Sequence, residues 1–124
     1  MLLRLSHVIV YCSDMKRSVA FYRDRMGFPV KFESPEWTEL HTGTVTLALH
    51  LGKPASSAMW KHGETESGQA QPSFEVLDIE KFYEEKKAKG VEFSLPPTPQ
   101  NFGTKLAVLL DPDGLPISIT EERR

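Results

Sequence analysis

One pattern occurs twice in this chain, and it constrains the fold more than any other feature. An aspartate opens a helix-forming stretch that closes at a glycine, first from Asp14 to Gly27 and again from Asp78 to Gly90. Apolar strand-like segments flank both stretches, and the two spans differ in length by one residue. Such self-similarity marks a duplicated supersecondary unit. A short side-chain oxygen at a helix start accepts a backbone N–H that the first turn leaves unpaired. Ser13 or Asp14 can therefore cap the first helix, and Asp78 the second. A glycine at the far end supplies the left-handed exit without a Cβ clash.

The first copy reads as a strand with His7 as its polar exception, a polar turn, and a helix carrying Met15, Val19, Tyr22 and Met26 on one stripe. A short strand, FPVKFES, ends at Pro35. Two further strands follow, joined by a tight turn at Thr42 to Thr44 in which Gly43 permits positive φ. The second of them, Thr44 to Leu51, places Val45, Leu47, Leu49 and Leu51 on one face and Thr46, Ala48 and His50 on the other. Residues 53–69 are rich in Pro, Ser, Gly, Glu and Gln, with Trp60 and His62 as exceptions, and read as a connecting loop.

The second copy begins with SFEV, Asp78 and a helix whose stripe holds Ile79, Phe82, Tyr83 and the stem of Lys86. Lys87 and Lys89 fall with Lys86 on a solvated face. Pro96, Pro97 and Pro99 predict an extended loop. Thr104 to Leu110 is a near-continuous apolar strand, Asp111 to Gly114 a turn, and Leu115, Ile117 and Ile119 alternate with Pro116, Ser118 and Thr120 in the last strand. The fold class is therefore α+β: two tandem βαβββ modules, residues 3–52 and 70–122, forming one domain whose mixed sheets make a curved trough.

Size and charge narrow the function. At 124 residues the chain suits one domain. A net charge of −2 with dispersed Lys and Arg lacks the basic footprint of a nucleic-acid binder. The short MLLRL opening is too brief for a signal-peptide core or a membrane span, so no membrane association is expected. The single cysteine, Cys12, excludes an internal disulfide and suits a reducing, cytoplasmic setting; it reads as a small buried hydrophobe. The chain has no G-x-S-x-G, P-loop, C-x-x-C or H-E-x-x-H sequence.

The tandem βαβββ pair, opening with H-V-I-V-Y-C-S-D-M-K-R-S-V-A-F-Y-R-D-R-M-G-F and closing with D-P-D-G-L-P-I-S-I-T-E, resembles the vicinal oxygen chelate superfamily over nearly the full chain. That group includes glyoxalase I, extradiol dioxygenases, fosfomycin-resistance thiol transferases, methylmalonyl-CoA epimerase and metal-free bleomycin-resistance proteins. The resemblance implies four trough-facing strand positions that hold His or Glu ligands to a divalent metal in the metal-dependent members. The first falls on His7, seven residues before the capping aspartate, and matches. The second falls on Ala48; His50 lies on the same face two residues along and could substitute only after a shift. The third falls on Pro72, or on Gln71 if the one-residue gap is placed earlier, and the fourth on Ser118. Of the four positions, only His7 carries a family-type ligand, so no metal cofactor is expected.

The expected ligand-binding residues are His7, Tyr11, Trp37, Ala48, His50 and Ser118. Tyr11 shares a face with His7 and offers a phenol, while Trp37, Glu39 and His41 share a face that is either a wet sheet surface or a pocket wall. Glu75 faces the trough only if Gln71 aligns with His7. Gln100 to Gly103 can be a flap or a plain loop. The resemblance implies a homodimer that binds a small molecule. Its alternative is a metal-dependent lyase, isomerase or dioxygenase using His7 with a reduced or shifted ligand set.

Overall fold

The computed structural model describes residues 1–53, 70–101 and 103–122. Trp60, His62 and Phe102 lie outside the described residues. The chain divides into two compact units, Met1–Ala55 and Ser56–Arg124.

In the first unit, β1 (His7–Cys12) leads through Asp14 into α1 (Met15–Val19) and a π-helical segment (Ala20–Arg25), followed by β2 (Val30–Glu33), β3 (Trp37–His41) and β4 (Thr46–Leu51). The strands form one sheet in the order β1-β4-β3-β2, with β1 parallel to β4 and the other pairs antiparallel. The cap is Asp14, whose Oδ1 accepts the Arg17 N–H at 3.0 Å. Val10, Cys12, Leu40, Leu47 and Leu49 are buried with Met15, Val19, Phe21 and Tyr22, and α1 packs on β3 and β4.

The single α-helix expected from Met15 to Met26 is corrected after Val19. From Ala20 the helix widens, and the Met26 N–H donates to the Phe21 carbonyl, five residues back. A π turn takes one more residue than an α turn. This is where the extra residue of the first copy goes: the Asp14–Gly27 span exceeds Asp78–Gly90 by one. Adjacent Phe21 and Tyr22 are buried together, their rings 5.0 Å apart and edge to face, a pairing that a narrow α stripe would not supply.

The second unit repeats the plan with β5 (Ser73–Val76), α2 (Ile79–Ala88), β6 (Glu92–Pro99), β7 (Lys105–Leu110) and β8 (Pro116–Glu121). Its strand order is β5-β8-β7-β6, again with one parallel pair, β5 with β8. Asp78 caps α2 through the Lys81 N–H, and the Glu121 carboxylate accepts the Ile79 N–H at 3.1 Å. Ile79 is fully buried, Phe82 and Tyr83 stack edge-on against Phe93, and Lys86 lies over Phe82. Burial, with Lys89 nearby, lowers the Lys86 ammonium pKa.

The extended loop expected at Pro96, Pro97 and Pro99 is also corrected, because these residues belong to β6. Among the described residues the strand lies at the sheet edge and pairs with β7 alone. Its register shifts between Leu95 and Thr98, where Pro96 and Pro97 sit. Proline lacks an N–H for the ladder but is tolerated at an edge and at a bulge. Gln100 to Gly103 connects β6 to β7, with the Gln100 N–H donating to the Thr104 carbonyl at 2.9 Å and Gly103 at φ 89°. The D-P-D-G turn forms as expected: buried Asp111 accepts the N–H groups of Asp113 and Leu115 on one carboxylate oxygen, at 2.9 and 2.8 Å.

Candidate functional site

Strand pairing in the first unit lines up three cross-strand rows on the sheet face opposite α1. Tyr11, His50 and Trp37 form one row, Ile9, Ala48, Glu39 and Phe32 the next, and His7, Thr46 and His41 the third. Directly opposed residues in neighbouring strands have side chains in contact range. The rings of Tyr11 and His50 are 5.3 Å apart, and those of His50 and Trp37 are 5.9 Å apart and edge to face. His7 leans toward the middle of the face, its ring 6.3 Å from Trp37.

Polar contacts fix these side chains. Trp37 Nε1–H donates to Glu39 Oε2 at 3.1 Å, and the same oxygen lies 3.5 Å from His7 Nε2. That longer distance is an electrostatic approach rather than a good hydrogen bond. On the other side of its ring, His7 Nδ1 is 2.9 Å from Ser6 Oγ. With Nε2 protonated toward the carboxylate, Ser6 O–H is the donor to Nδ1, and both nitrogens of His7 are engaged. His50 differs: its Nδ1 is 2.8 Å from the Leu51 carbonyl. Lys31 reaches the third row from β2, donating to Thr46 Oγ1 at 3.1 Å.

The face is open. Tyr11 is 67% exposed, Phe32 54% and Ile9 46%; Trp37 and Glu39 are half-buried, and both His7 and His50 are exposed. Large apolar and aromatic groups on a solvated sheet face are the informative exception to burial. Of the expected ligand residues, His7, Tyr11, Trp37 and His50 gather here. Ala48 lies among them but is fully buried, so it forms the floor under Ile9 and Glu39. Glu39 shares the Trp37 and His41 face but lies outside the expected ligand set. Its role shows only in the register that brings it against His7, although its position two residues after Trp37 in a strand was a signal that the two share a face. Alternation in β1 already puts Ile9 on the face of His7 and Tyr11, whereas Phe32 carries no signal in the sequence, because an apolar strand residue reads as core.

Ser118 belongs to the second unit, where it pairs with Ser73 of β5 and Val108 of β7. The Gln71 side-chain amide donates to Ser118 Oγ. This contact and the strand pairing decide the alignment of the two copies. Ile9 precedes its capping aspartate by the same five residues as Ser73, and these residues pair with Ala48 and Ser118 respectively. His7 therefore corresponds to Gln71, not Pro72, and Tyr11 to Glu75. Exposed Glu75 falls on the Gln71 face, opposite Thr120.

The four positions at which the resemblance implies ligands thus carry His7, Ala48, Gln71 and Ser118. These side chains do not make a family-type donor set: an alanine methyl offers no lone pair, and a glutamine amide and a serine hydroxyl are neutral, weak donors where the family pattern has His or Glu. His7 and Glu39 approach each other, but among the described residues no third His, Cys, Asp or Glu joins a group that could hold a metal.

Comparison with known proteins agrees with the duplicated architecture. A family profile described as Glyoxalase/Bleomycin resistance protein/Dioxygenase superfamily matches residues 4–119. The chain is 28% identical over 126 residues to YwkD of Bacillus subtilis strain 168, an uncharacterized protein, covering 95% of this chain and 96% of that one. The crystal structure of SMU.1112c aligns with a TM-score of 0.83 at 26% identity, covering 98% of this chain and all 100% of the other. A Glyoxalase/bleomycin resistance protein/dioxygenase superfamily member from Sphaerobacter thermophilus DSM 20745 aligns with a TM-score of 0.74 at 23% identity, over 98% of both chains, which speaks to fold alone. With a profile match across almost its whole length and both βαβββ units in place, the chain belongs to the glyoxalase/bleomycin resistance protein/dioxygenase superfamily.

Proposed function

We propose that this protein binds a small organic molecule on the open face of its first unit and does so without a family-type metal. One observation carries the reading: the Tyr11–His50–Trp37 row, with Tyr11 and His50 exposed, stands beside a Glu39 carboxylate held by the Trp37 indole. Ligand sites are mostly apolar or aromatic surfaces with a few placed polar groups, and this face has that make-up. Ala48 and Ser118, standing at positions where the resemblance implies metal ligands, support binding rather than metal chemistry.

The test is a fragment screen followed by nuclear magnetic resonance, with Trp37→Ala as the control. Hits should perturb Tyr11 and the Trp37 indole, and Trp37→Ala should weaken them at least about tenfold, the scale of an aromatic contact. Unchanged affinity in the variant would remove this face from the site.

A second reading is favoured by the His7–Glu39 approach: an enzyme of the lyase, isomerase or dioxygenase type in which His7 serves as base or as part of a reduced metal site. In that case His7→Ala would abolish turnover while leaving the fold intact. The protein is further proposed to act as a cytoplasmic homodimer. A single cysteine, the buried Cys12, and the exposed Leu2, Leu3 and Leu5 that precede the edge strand β1 support that assignment.

A further inference from the structure

We infer that His50 is the hydrogen-bond acceptor of the site and selects planar aromatic compounds that carry an acidic O–H or N–H. The inference rests on the ligand face proposed above. A backbone carbonyl can only accept, so the 2.8 Å contact between His50 Nδ1 and the Leu51 carbonyl requires the proton to sit on Nδ1. In the neutral imidazole that leaves a lone pair on Nε2. No partner for Nε2 is found among the described residues, and the side chain is exposed. His7 is the opposite case, with Nδ1 at Ser6 Oγ and Nε2 facing the Glu39 carboxylate. Of these two imidazoles, only His50 therefore presents a free basic nitrogen.

The surroundings say what body the donor should be attached to. His50 stands between Tyr11 and Trp37, and the next row adds Ile9 and Phe32. A flat aromatic ring can stack on these groups while its hydroxyl or N–H points at Nε2. An ether of the same shape would keep the stacking and lose the donor. The proton is shared in a hydrogen bond and no covalent step is involved.

The test uses the full chain with isotopically labelled histidine, and para-cyanophenol with its methyl ether as probes. Proton–nitrogen correlation spectra, assigned with His50→Phe, should show His50 protonated at Nδ1. The phenol should shift the Tyr11 and Trp37 signals and the Nε2 resonance, and should bind about tenfold more tightly than the ether. His50→Phe should erase that difference between phenol and ether. An Nε2-protonated His50, or equal binding of phenol and ether, would overturn the inference while leaving the ligand face in place. If neither probe disturbs Tyr11 or Trp37, the inference and the ligand face fall together. The unchanged far-ultraviolet spectrum expected of His50→Phe shows that the variant has folded.

Discussion

Replacing Ser18 with alanine should make the protein more stable. Ser18 lies in α1, fully buried, and its hydroxyl is without a hydrogen-bond partner among the described residues, although its backbone N–H is bonded to Asp14. A buried polar group left unpaired carries a desolvation penalty of about 1–3 kcal/mol. Alanine removes that group and adds roughly 0.5 kcal/mol of helix propensity. Some contact is lost with the oxygen atom, so the expected net gain is about 1–2 kcal/mol. With an unfolding entropy of roughly 2.1 cal/mol/K per residue, 124 residues give about 0.26 kcal/mol/K, and each kcal/mol moves the melting temperature by about 4 °C. Differential scanning calorimetry of Ser18→Ala should therefore show a rise of about 4–8 °C. Urea unfolding should show the same sign with an unchanged slope. A fall in melting temperature would refute the reasoning, because it would mean that the hydroxyl holds a partner or fills space that alanine cannot.

Two more outcomes follow from the same structure. Asp111→Ala should destabilise by about 3 kcal/mol, since one carboxylate oxygen accepts two backbone N–H groups in a partly buried turn; Asp111→Asn should recover much of this in chemical denaturation, and equal losses in both variants would show that the acceptor is not what matters. Light scattering at micromolar concentration should give the mass of a dimer, and a clean monomer would contradict the homodimer proposed above.

The sequence was most informative where a residue type answers a local steric demand. Asp14 and Asp78 cap their helices, and Gly27 and Gly90 leave them at φ 88° and 83°, because the first turn needs an acceptor and the last needs a residue without Cβ. The alternation of Ile117, Ser118 and Ile119 likewise survives intact in β8, with both isoleucines buried. What failed depends on information that is not local. An α and a π turn bury the same kinds of residue, so the widening at Ala20 was hidden in a one-residue difference between two distant spans. The prolines of β6 read as a loop because edge position and bulging are properties of the sheet and not of the segment. The site was half legible. Alternation put His7 and Tyr11 on one face of β1, and Trp37 and Glu39 on one face of β3. Only the pairing of β1, β4 and β3 places Glu39 Oε2 between the Trp37 indole and His7, and only the Leu51 carbonyl distinguishes His50 from His7.

The central claim is that the open face of the first unit takes a small molecule without a family-type metal. Elemental analysis of untagged protein tests it most directly, followed by thermal melting with added nickel, zinc, manganese and iron(II). The account predicts no stoichiometric metal and no concentration-dependent rise in melting temperature, since an ion that bound only the native state would raise it. Stoichiometric metal, or a rise abolished by His7→Ala, would contradict the account and put the enzyme reading first.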